Sequence, residues 1–159
     1  MHAREPLVLA LQETLYRTLP YFDANAATLA RPYAPGKWTL QQVLVHLSDT
    51  EAVYLDRLRR ILADEKPLLL NMDPDRWNER LGYAERDLSV ARAQFEAARR
   101  GTIELARTAP ASADAREAPH SAGGTRSFAK VLAGAAEHNA HHLEQCQAIL
   151  NGKTWFSKG

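Results

Sequence analysis

The sequence predicts an all-α protein that folds as a four-helix bundle. Four segments carry apolar residues at the three- and four-residue spacing of amphipathic helices. Three breaks that contain proline, glycine and small polar residues separate these segments, and none of the segments shows the alternation of a half-buried strand. Four helices of about 22 to 26 residues, each with one apolar stripe, can bury those stripes against one another.

The first helix is predicted from about Pro6 to Ala30, where leucines recur every three or four residues. A proline suits the first turn, because its missing N–H has no helical partner there. Pro20 lies inside the pattern and is expected to kink or interrupt the helix. Two prolines and a glycine within residues 31–36 end it.

The second helix is predicted to begin at Thr39 and to end near Ala63. Thr39 and Gln42 have the spacing of a capping box, in which each side chain accepts a hydrogen bond from the other residue's backbone N–H. The segment Asp64–Tyr83 then loses the helical spacing. We predict that it is a long connection without regular structure, in which Trp77 packs over one end of the core.

The third helix is predicted from about Glu85 to Thr108, again with one apolar stripe. The segment Pro110–Gly124 is rich in alanine, serine, proline and glycine, and we expect it to be irregular and mobile. Ser127 is predicted to cap the fourth helix. The pair Asn151-Gly152 is a typical stop signal for that helix.

Length and composition indicate one domain that spans residues 1–159. The formal net charge is +1, so no basic excess favours a nucleic-acid or anionic-membrane partner. The single cysteine, Cys146, excludes an internal disulfide. The sequence lacks the features of a signal peptide and any apolar stretch long enough for a membrane span, so we expect a cytoplasmic protein.

Histidines carry the strongest functional signal. His138 and His142 are four residues apart on the fourth helix, so they share one face, which is otherwise apolar, while His141 points away from it. His46 on the second helix could complete a three-histidine site. Three neutral ligands with an open coordination position are typical of catalytic or substrate-binding zinc rather than of a closed structural site. The alternative is three core histidines hydrogen-bonded to nearby oxygens.

Two carboxylates near these histidines are candidates for a supporting role. Glu51 occupies the apolar stripe of the second helix and could orient a histidine or accept a proton, or it could form a structural ion pair with an arginine such as Arg99 or Arg57. Asp49 is one turn beyond His46; it is a second such candidate, although we expect a solvated surface aspartate rather than a functional one. The zinc-peptidase motif is excluded, because it needs a glutamate directly after its first histidine and this chain has asparagine there.

The remaining reactive or aromatic residues favour structural interpretations. Cys146 lies one turn beyond His142 on the same face, and a buried single cysteine usually behaves as a small hydrophobe. We interpret the three tryptophans, Trp38, Trp77 and Trp155, as core or interface anchors.

Three motifs in order resemble the DinB/YfiT-like superfamily over nearly the whole chain. They are WTLQQVLVHLSDTE from Trp38 to Glu51, Trp77 followed by LGY at 81–83, and HNAHHLEQ from His138 to Gln145. The resemblance implies a four-helix bundle with up-down-down-up topology and frequent homodimers. It also implies a divalent metal, usually zinc or nickel, near one end of the bundle.

The ligands that the resemblance implies are His46, His138 and His142. Members of the family include transferases and isomerases that work with low-molecular-weight thiols. We therefore expect a metal-dependent enzyme that acts on a small molecule, either a thiol-dependent S-transferase or a hydrolase-like protein. The alternatives are a metal-binding, ligand-binding or stress-related bundle without turnover, and a purely structural bundle.

Overall fold

Helices make up most of the computed structural model, which describes residues 4–156. Four of them are long and two are short. In chain order they are α1 (Glu5–Thr18), α2 (Ala26–Leu29), α3 (Leu40–Ala63), α4 (Pro74–Arg80), α5 (Leu88–Thr108) and α6 (Phe128–Leu150). The four long helices correspond to the four amphipathic segments predicted from the sequence.

The first predicted helix is interrupted at Pro20, as expected. α1 ends at Thr18, and Pro20 lies in a 3-10 turn, Leu19–Asp23, that follows directly. The chain then forms only the four-residue α2, whose N-terminus is capped by the side chain of Asn25. The second half of the predicted segment is therefore much less helical than its leucine spacing suggested.

Side-chain caps begin the two helices that carry the histidines. At α3 the Thr39 side chain accepts from the Gln42 N–H while the Gln42 side chain accepts from the Thr39 N–H, which confirms the predicted capping box. At α6 the Ser127 side chain accepts from the Lys130 N–H. Both caps were predicted, and they fix where each helix begins.

The contacts of α3 give the direction of its two neighbours. Asp49 contacts Gln94, and further along both helices Leu55 packs against Gly101, so α3 and α5 run parallel. A Cβ atom at position 101 would lie 3.0 Å from the Leu55 side chain, and glycine there allows the close approach. Between α3 and α6 the order is reversed, so these helices are antiparallel; the contacting pairs are His46 with His142 and Tyr54 with Gly134.

The contacts of α1 complete the topology. Arg4 packs over Phe128 and Thr18 hydrogen-bonds Asn139, so α1 runs parallel to α6. Arg4 also donates to the carbonyl of Ala109 at the end of α5, which makes α1 and α5 antiparallel. The bundle therefore has the expected up-down-down-up topology.

The two connections contain more regular structure than we predicted. The segment between α3 and α5 includes α4 and a 3-10 turn, Tyr83–Glu85, and the half-buried Trp77 packs against the core. The segment between α5 and α6 forms a 3-10 turn, Ala111–Ala115, and an antiparallel hairpin of β1 (Glu117–Pro119) and β2 (Thr125–Ser127). Three-residue strands are too short to show alternation, which explains why sequence periodicity missed them.

The apolar stripes of the long helices meet in one core, which the hairpin and the first connection cover at one side. Its largest fully buried apolar side chains are Leu11, Leu15, Leu40, Leu44, Leu47, Leu58, Ile61, Leu69, Phe95 and Phe128. Within residues 4–156, none of the helices combines the length and the hydropathy that crossing a bilayer requires.

Candidate metal centre

The structure brings together the three histidines that the sequence singled out. His46 lies in the first half of α3, and His138 and His142 lie on the facing side of the antiparallel α6. Nε2 of His138 is 3.0 Å from Nε2 of His46 and 3.2 Å from Nε2 of His142. One ring nitrogen from each of the three lies within 4.8 Å of the others.

Contacts behind the rings hold two of the histidines in place. Nδ1 of His142 is 2.7 Å from Oε1 of the buried Gln145. Because an amide oxygen only accepts, this ring nitrogen donates the hydrogen bond and Nε2 presents its lone pair to the centre. The His46 ring packs edge-on against Trp38 at a centroid distance of 5.0 Å, and its Nδ1 has no hydrogen-bond partner within residues 4–156.

Burial keeps all three imidazoles neutral. Desolvation lowers the pKa of His46 to about 2, and the neighbouring His142 and His138 add to this effect. Desolvation also lowers the pKa of His138 to about 3 and that of His142 to about 4. Neutral imidazole is the form that binds metals, so no proton has to leave at physiological pH.

The donor set fits a divalent metal. Two lone pairs that face each other at 3.0 Å repel unless a proton or a cation lies between them. In a tetrahedral zinc site, metal–nitrogen bonds of about 2.0 to 2.1 Å separate neighbouring nitrogens by about 3.3 Å. Two of the three separations, at 3.0 and 3.2 Å, are close to that value, and the third is within 4.8 Å. Imidazole ligands suit zinc and nickel alike, so the set alone does not select the ion.

The histidines form part of the wall of a cavity of about 680 Å³. Its volume lies in the range of small-molecule sites. The other walls come from residues 33–38, from the face of α3 beyond His46, from residues 71–75 and from the turn of the hairpin at His120. A ligand in this cavity would have direct access to the side of the centre that protein atoms leave free.

Comparison with known proteins places the chain in a family. The model of the DinB superfamily matches residues 10–146. The chain belongs to the DinB superfamily. The resemblance drawn from the three sequence motifs is thereby confirmed.

Relatives of this DinB-superfamily chain carry names that refer to a metal. Two proteins of Oceanobacillus iheyensis, each named "Putative metal-dependent hydrolase", are 27% and 24% identical to it. The matches cover 84% and 82% of this chain and 77% and 75% of theirs. YfiT from Bacillus subtilis, described as "a probable metal-dependent hydrolase with an unusual four-helix bundle topology", has the same fold, with a TM-score of 0.85 at 21% identity. That match covers 96% of this chain and 89% of YfiT.

The two candidate carboxylates of this DinB-superfamily chain lie outside the cavity lining. Glu51 is buried in an ion pair with Arg99, with 2.6 Å between Oε2 and Nη2. Burial raises the pKa of its carboxyl to about 6 against the attraction of Arg99. Of the alternatives considered for Glu51, the geometry matches the structural ion pair.

The expectation of a solvated Asp49 was wrong. Its side chain is buried, accepts a hydrogen bond of 3.1 Å from Nε2 of Gln94, and lies 3.7 Å from the Arg86 guanidinium. Packing of α5 against α3 covers this position, which a helical wheel of α3 alone cannot show. No hydrogen bond joins either carboxylate to the three histidines, so their role as proton acceptors stays an untested hypothesis.

His141 and Cys146 lie where the helical spacing placed them. His141 is exposed at the rim of the cavity, with its ring 4.8 Å from that of Trp155. Cys146 is fully buried in the core, and burial raises the pKa of its thiol to about 12. A thiol that stays protonated and does not line the cavity packs as a small apolar side chain.

Sequence reasoning missed several residues of the cavity. Trp38 and Trp155, interpreted as anchors, line it, and so do Tyr54 and Arg57. Tyr54 was detectable, because it lies eight residues after His46 on the same face of α3. Trp155 gave no such signal, since it follows the last helix and reaches the cavity only through the path of the C-terminal segment.

Proposed function

We propose that this protein is a metal-dependent enzyme in which His46, His138 and His142 bind one divalent ion, zinc or nickel, and that it hydrolyses a small molecule held in the cavity. The observation that carries the proposal is the convergence of three neutral imidazole nitrogens on the wall of that cavity. The names of the Oceanobacillus relatives support the hydrolytic reaction class. When bound, the ion would polarise a substrate oxygen and lower the pKa of water.

The surrounding side chains have roles that follow from their contacts. Gln145 orients His142 and fixes its tautomer. Tyr54 lies with its ring 5.8 Å from that of His138, and burial raises the pKa of its hydroxyl. That hydroxyl is therefore protonated at neutral pH and can donate a hydrogen bond to a substrate oxygen. Trp38 shields one side of His46 from water.

A second candidate is transfer of a thiol group rather than hydrolysis. The observation that favours it is the position of Glu51 and Asp49, which leaves no carboxylate among the described contacts of the three histidine rings. A low-molecular-weight thiol bound at the centre would need less help from a base, because coordination itself deprotonates a thiol. Product formation that requires an added thiol would favour this candidate over hydrolysis.

Metal content is the first test of the proposed function. Untagged protein, measured by plasma mass spectrometry, should carry close to one zinc or nickel ion per chain. His142→Ala should lose the ion, whereas His141→Ala, which removes an exposed imidazole next to it, should keep it. Wild-type protein that stays metal-free after incubation with zinc and with nickel would refute the proposal.

Two further expectations from the sequence stay predictions. They are a homodimer and a cytoplasmic location. Light scattering coupled to gel filtration would test the dimer, and fractionation of the producing cells would test the location.

A further inference from the structure

Arg57 lines the same cavity and has no counter-ion among the residues that the structure describes. It lies on α3, eleven residues beyond His46, and it is half-buried. Its Nη2 donates to the carbonyl of Leu70, but its Nε is buried and has no hydrogen-bond partner within residues 4–156. None of the carboxylates in that part of the chain forms an ion pair with it.

Two more basic side chains lie close to Arg57. His120, in the hairpin turn, lines the cavity, and Arg126 follows on β2. Desolvation lowers the pKa of His120, and the positive charges of Arg57 and Arg126 lower it further. Burial also lowers the pKa of the Arg57 guanidinium, and the charge of Arg126 acts in the same direction. The two guanidinium groups therefore repel each other across this wall, while the lowered pKa leaves His120 mostly neutral at neutral pH.

The nearby carboxylates compensate this charge only in part. Asp56 attracts Arg57, but its own ion pair, at 2.8 Å, is with Arg60 on the solvent side of α3. Asp75 also lines the cavity, and it lies near enough to Tyr33 to raise the pKa of that hydroxyl. It forms no ion pair with Arg57. An anion from outside the chain would relieve the repulsion.

We infer that the cavity takes an anionic small molecule whose carboxylate or phosphate group is bound by Arg57, with Arg126 adding positive charge behind it. This inference deepens the proposed function and rests on it, since it treats the cavity beside the three histidines as the substrate site. A partly desolvated guanidinium with free donors is well suited to both groups, because its planar fork matches pairs of their oxygens.

One small molecule can reach both the three histidines and Arg57. The Tyr54 ring lies between them, 5.8 Å from the His138 ring and 5.9 Å from the central carbon of the Arg57 guanidinium. A ligand that crosses this ring can present one group to the histidines and an anionic group to Arg57. The tryptophans at positions 38 and 155 give the cavity apolar surface for the body of the ligand.

The test compares ligands that differ in charge alone. The probes are 3-phenylpropionate, its neutral amide 3-phenylpropionamide, and phenyl phosphate, titrated into the full chain by calorimetry before and after removal of metal with a chelator. We expect at least one anion to bind about tenfold more tightly than the amide in both states of the protein. The preferred anion distinguishes a carboxylate site from a phosphate site.

Variants assign the preference to Arg57. R57Q should abolish it, R57K should keep part of it, and R59Q, which removes an exposed positive charge from the same helix, should leave it intact. Thermal melting of each variant controls for folding. The inference is overturned if the anions bind no better than the amide, if neither anion binds, or if the preference survives in R57Q.

The titration of metal-free protein tests this inference independently of the proposed function. An anion preference that appears only with metal and does not depend on Arg57 would locate the anion at the histidines, which would overturn the inference and leave the metal centre standing. A protein that binds no metal but keeps an Arg57-dependent preference would refute the proposed function and support the anion site.

Discussion

The hydrogen bond between His142 and Gln145 shows how one residue prepares another for binding. Both side chains are buried, and the bond of 2.7 Å fixes the ring so that Nε2 faces the other two histidines. A buried imidazole without this bond could rotate or change tautomer. Side chains that hold a ligand in this way contribute to metal affinity although they do not touch the metal.

Replacement of Gln145 should weaken metal binding. Gln145→Leu keeps the size of the side chain but removes the acceptor for His142, and we expect zinc affinity to fall roughly 10- to 100-fold. Competition against a chromophoric chelator measures the change. Gln147→Leu is the matched control, because it makes the same substitution at an exposed position of α6. Equal affinities for the two variants would show that the hydrogen bond has no such role.

Asn139 occupies the place where a zinc peptidase would have its catalytic glutamate, and the structure gives it a different role. Its side chain is fully buried and donates a hydrogen bond of 3.3 Å to the Thr18 hydroxyl. That bond joins α1 to α6 on the side away from the cavity lining. Asn139 therefore lies inside the histidine motif but stabilises the packing of α1 against α6 instead of taking part in the metal centre.

At the scale of elements, the ion pair of Glu51 and Arg99 links three helices. Glu51 lies on α3 and Arg99 on α5, and Nη2 of Arg99 also donates to the Ala135 carbonyl of α6 at 3.3 Å. The Thr102 hydroxyl donates to the other oxygen of Glu51. Both charged side chains are almost completely buried, so each depends on the other for compensation.

Removal of one partner of this pair should destabilise the bundle strongly. Arg99→Leu leaves a buried carboxyl without its counter-charge, and we expect a loss of about 3 to 5 kcal/mol in the free energy of unfolding measured in urea. The exposed Arg100→Leu, which also removes an arginine from α5, should cost far less stability, because water screens its ion pair.

A double variant tests the reason for that loss. Glu51→Leu combined with Arg99→Leu should recover much of the stability, because it removes the uncompensated carboxyl together with the arginine. No recovery in the double variant would mean that lost packing, rather than lost charge compensation, explains the effect of Arg99→Leu.

At the scale of the whole molecule, the three histidines of the metal centre make the stability of the folded protein depend on pH. Each of the three has a reference pKa of 6.5, and the folded values are about 2, 3 and 4. Unfolding therefore lets each imidazole take up a proton that the folded protein excludes. The stability that they contribute is complete above pH 6.5 and is lost as the pH falls toward the folded values.

Metal-free protein should consequently become less stable in mild acid. Each histidine adds a slope of about 1.4 kcal/mol per pH unit below pH 6.5. Glu51 acts in the opposite direction, since its pKa is raised from 4.5 to about 6 and its contribution falls as the pH rises through that interval. Because three histidines outweigh the single glutamate, the protein should lose stability overall as the pH falls from 6.5 to 4.

Urea denaturation at several pH values, in the presence of a chelator, measures this slope. A variant with glutamine at positions 46, 138 and 142 should show a much flatter profile, while His141→Ala, at an exposed position, should keep the wild-type slope. A wild-type profile that is flat between pH 6.5 and 4 would contradict the assignment of three neutral, buried imidazoles.

Much of the fold and the core of the site could be predicted from local patterns. Helical spacing placed His138 and His142 on one face and His141 away from it, and the Thr39 capping box located the start of α3. These predictions succeeded because each depends on residues within one or two turns of a single helix. The short helix α4 and the hairpin were missed, since their segments are too brief for a periodic pattern.

The sequence by itself determined four amphipathic helices, their caps and a histidine face, because hydrophobic periodicity is a property of each segment alone. Only the tertiary structure decided that Glu51 pairs with Arg99, that Asp49 is buried, and that Arg57 meets the hairpin. These features depend on which helix packs against which and in what register. Helix packing brings together residues that are far apart in the chain, and a local sequence pattern contains no information about such contacts.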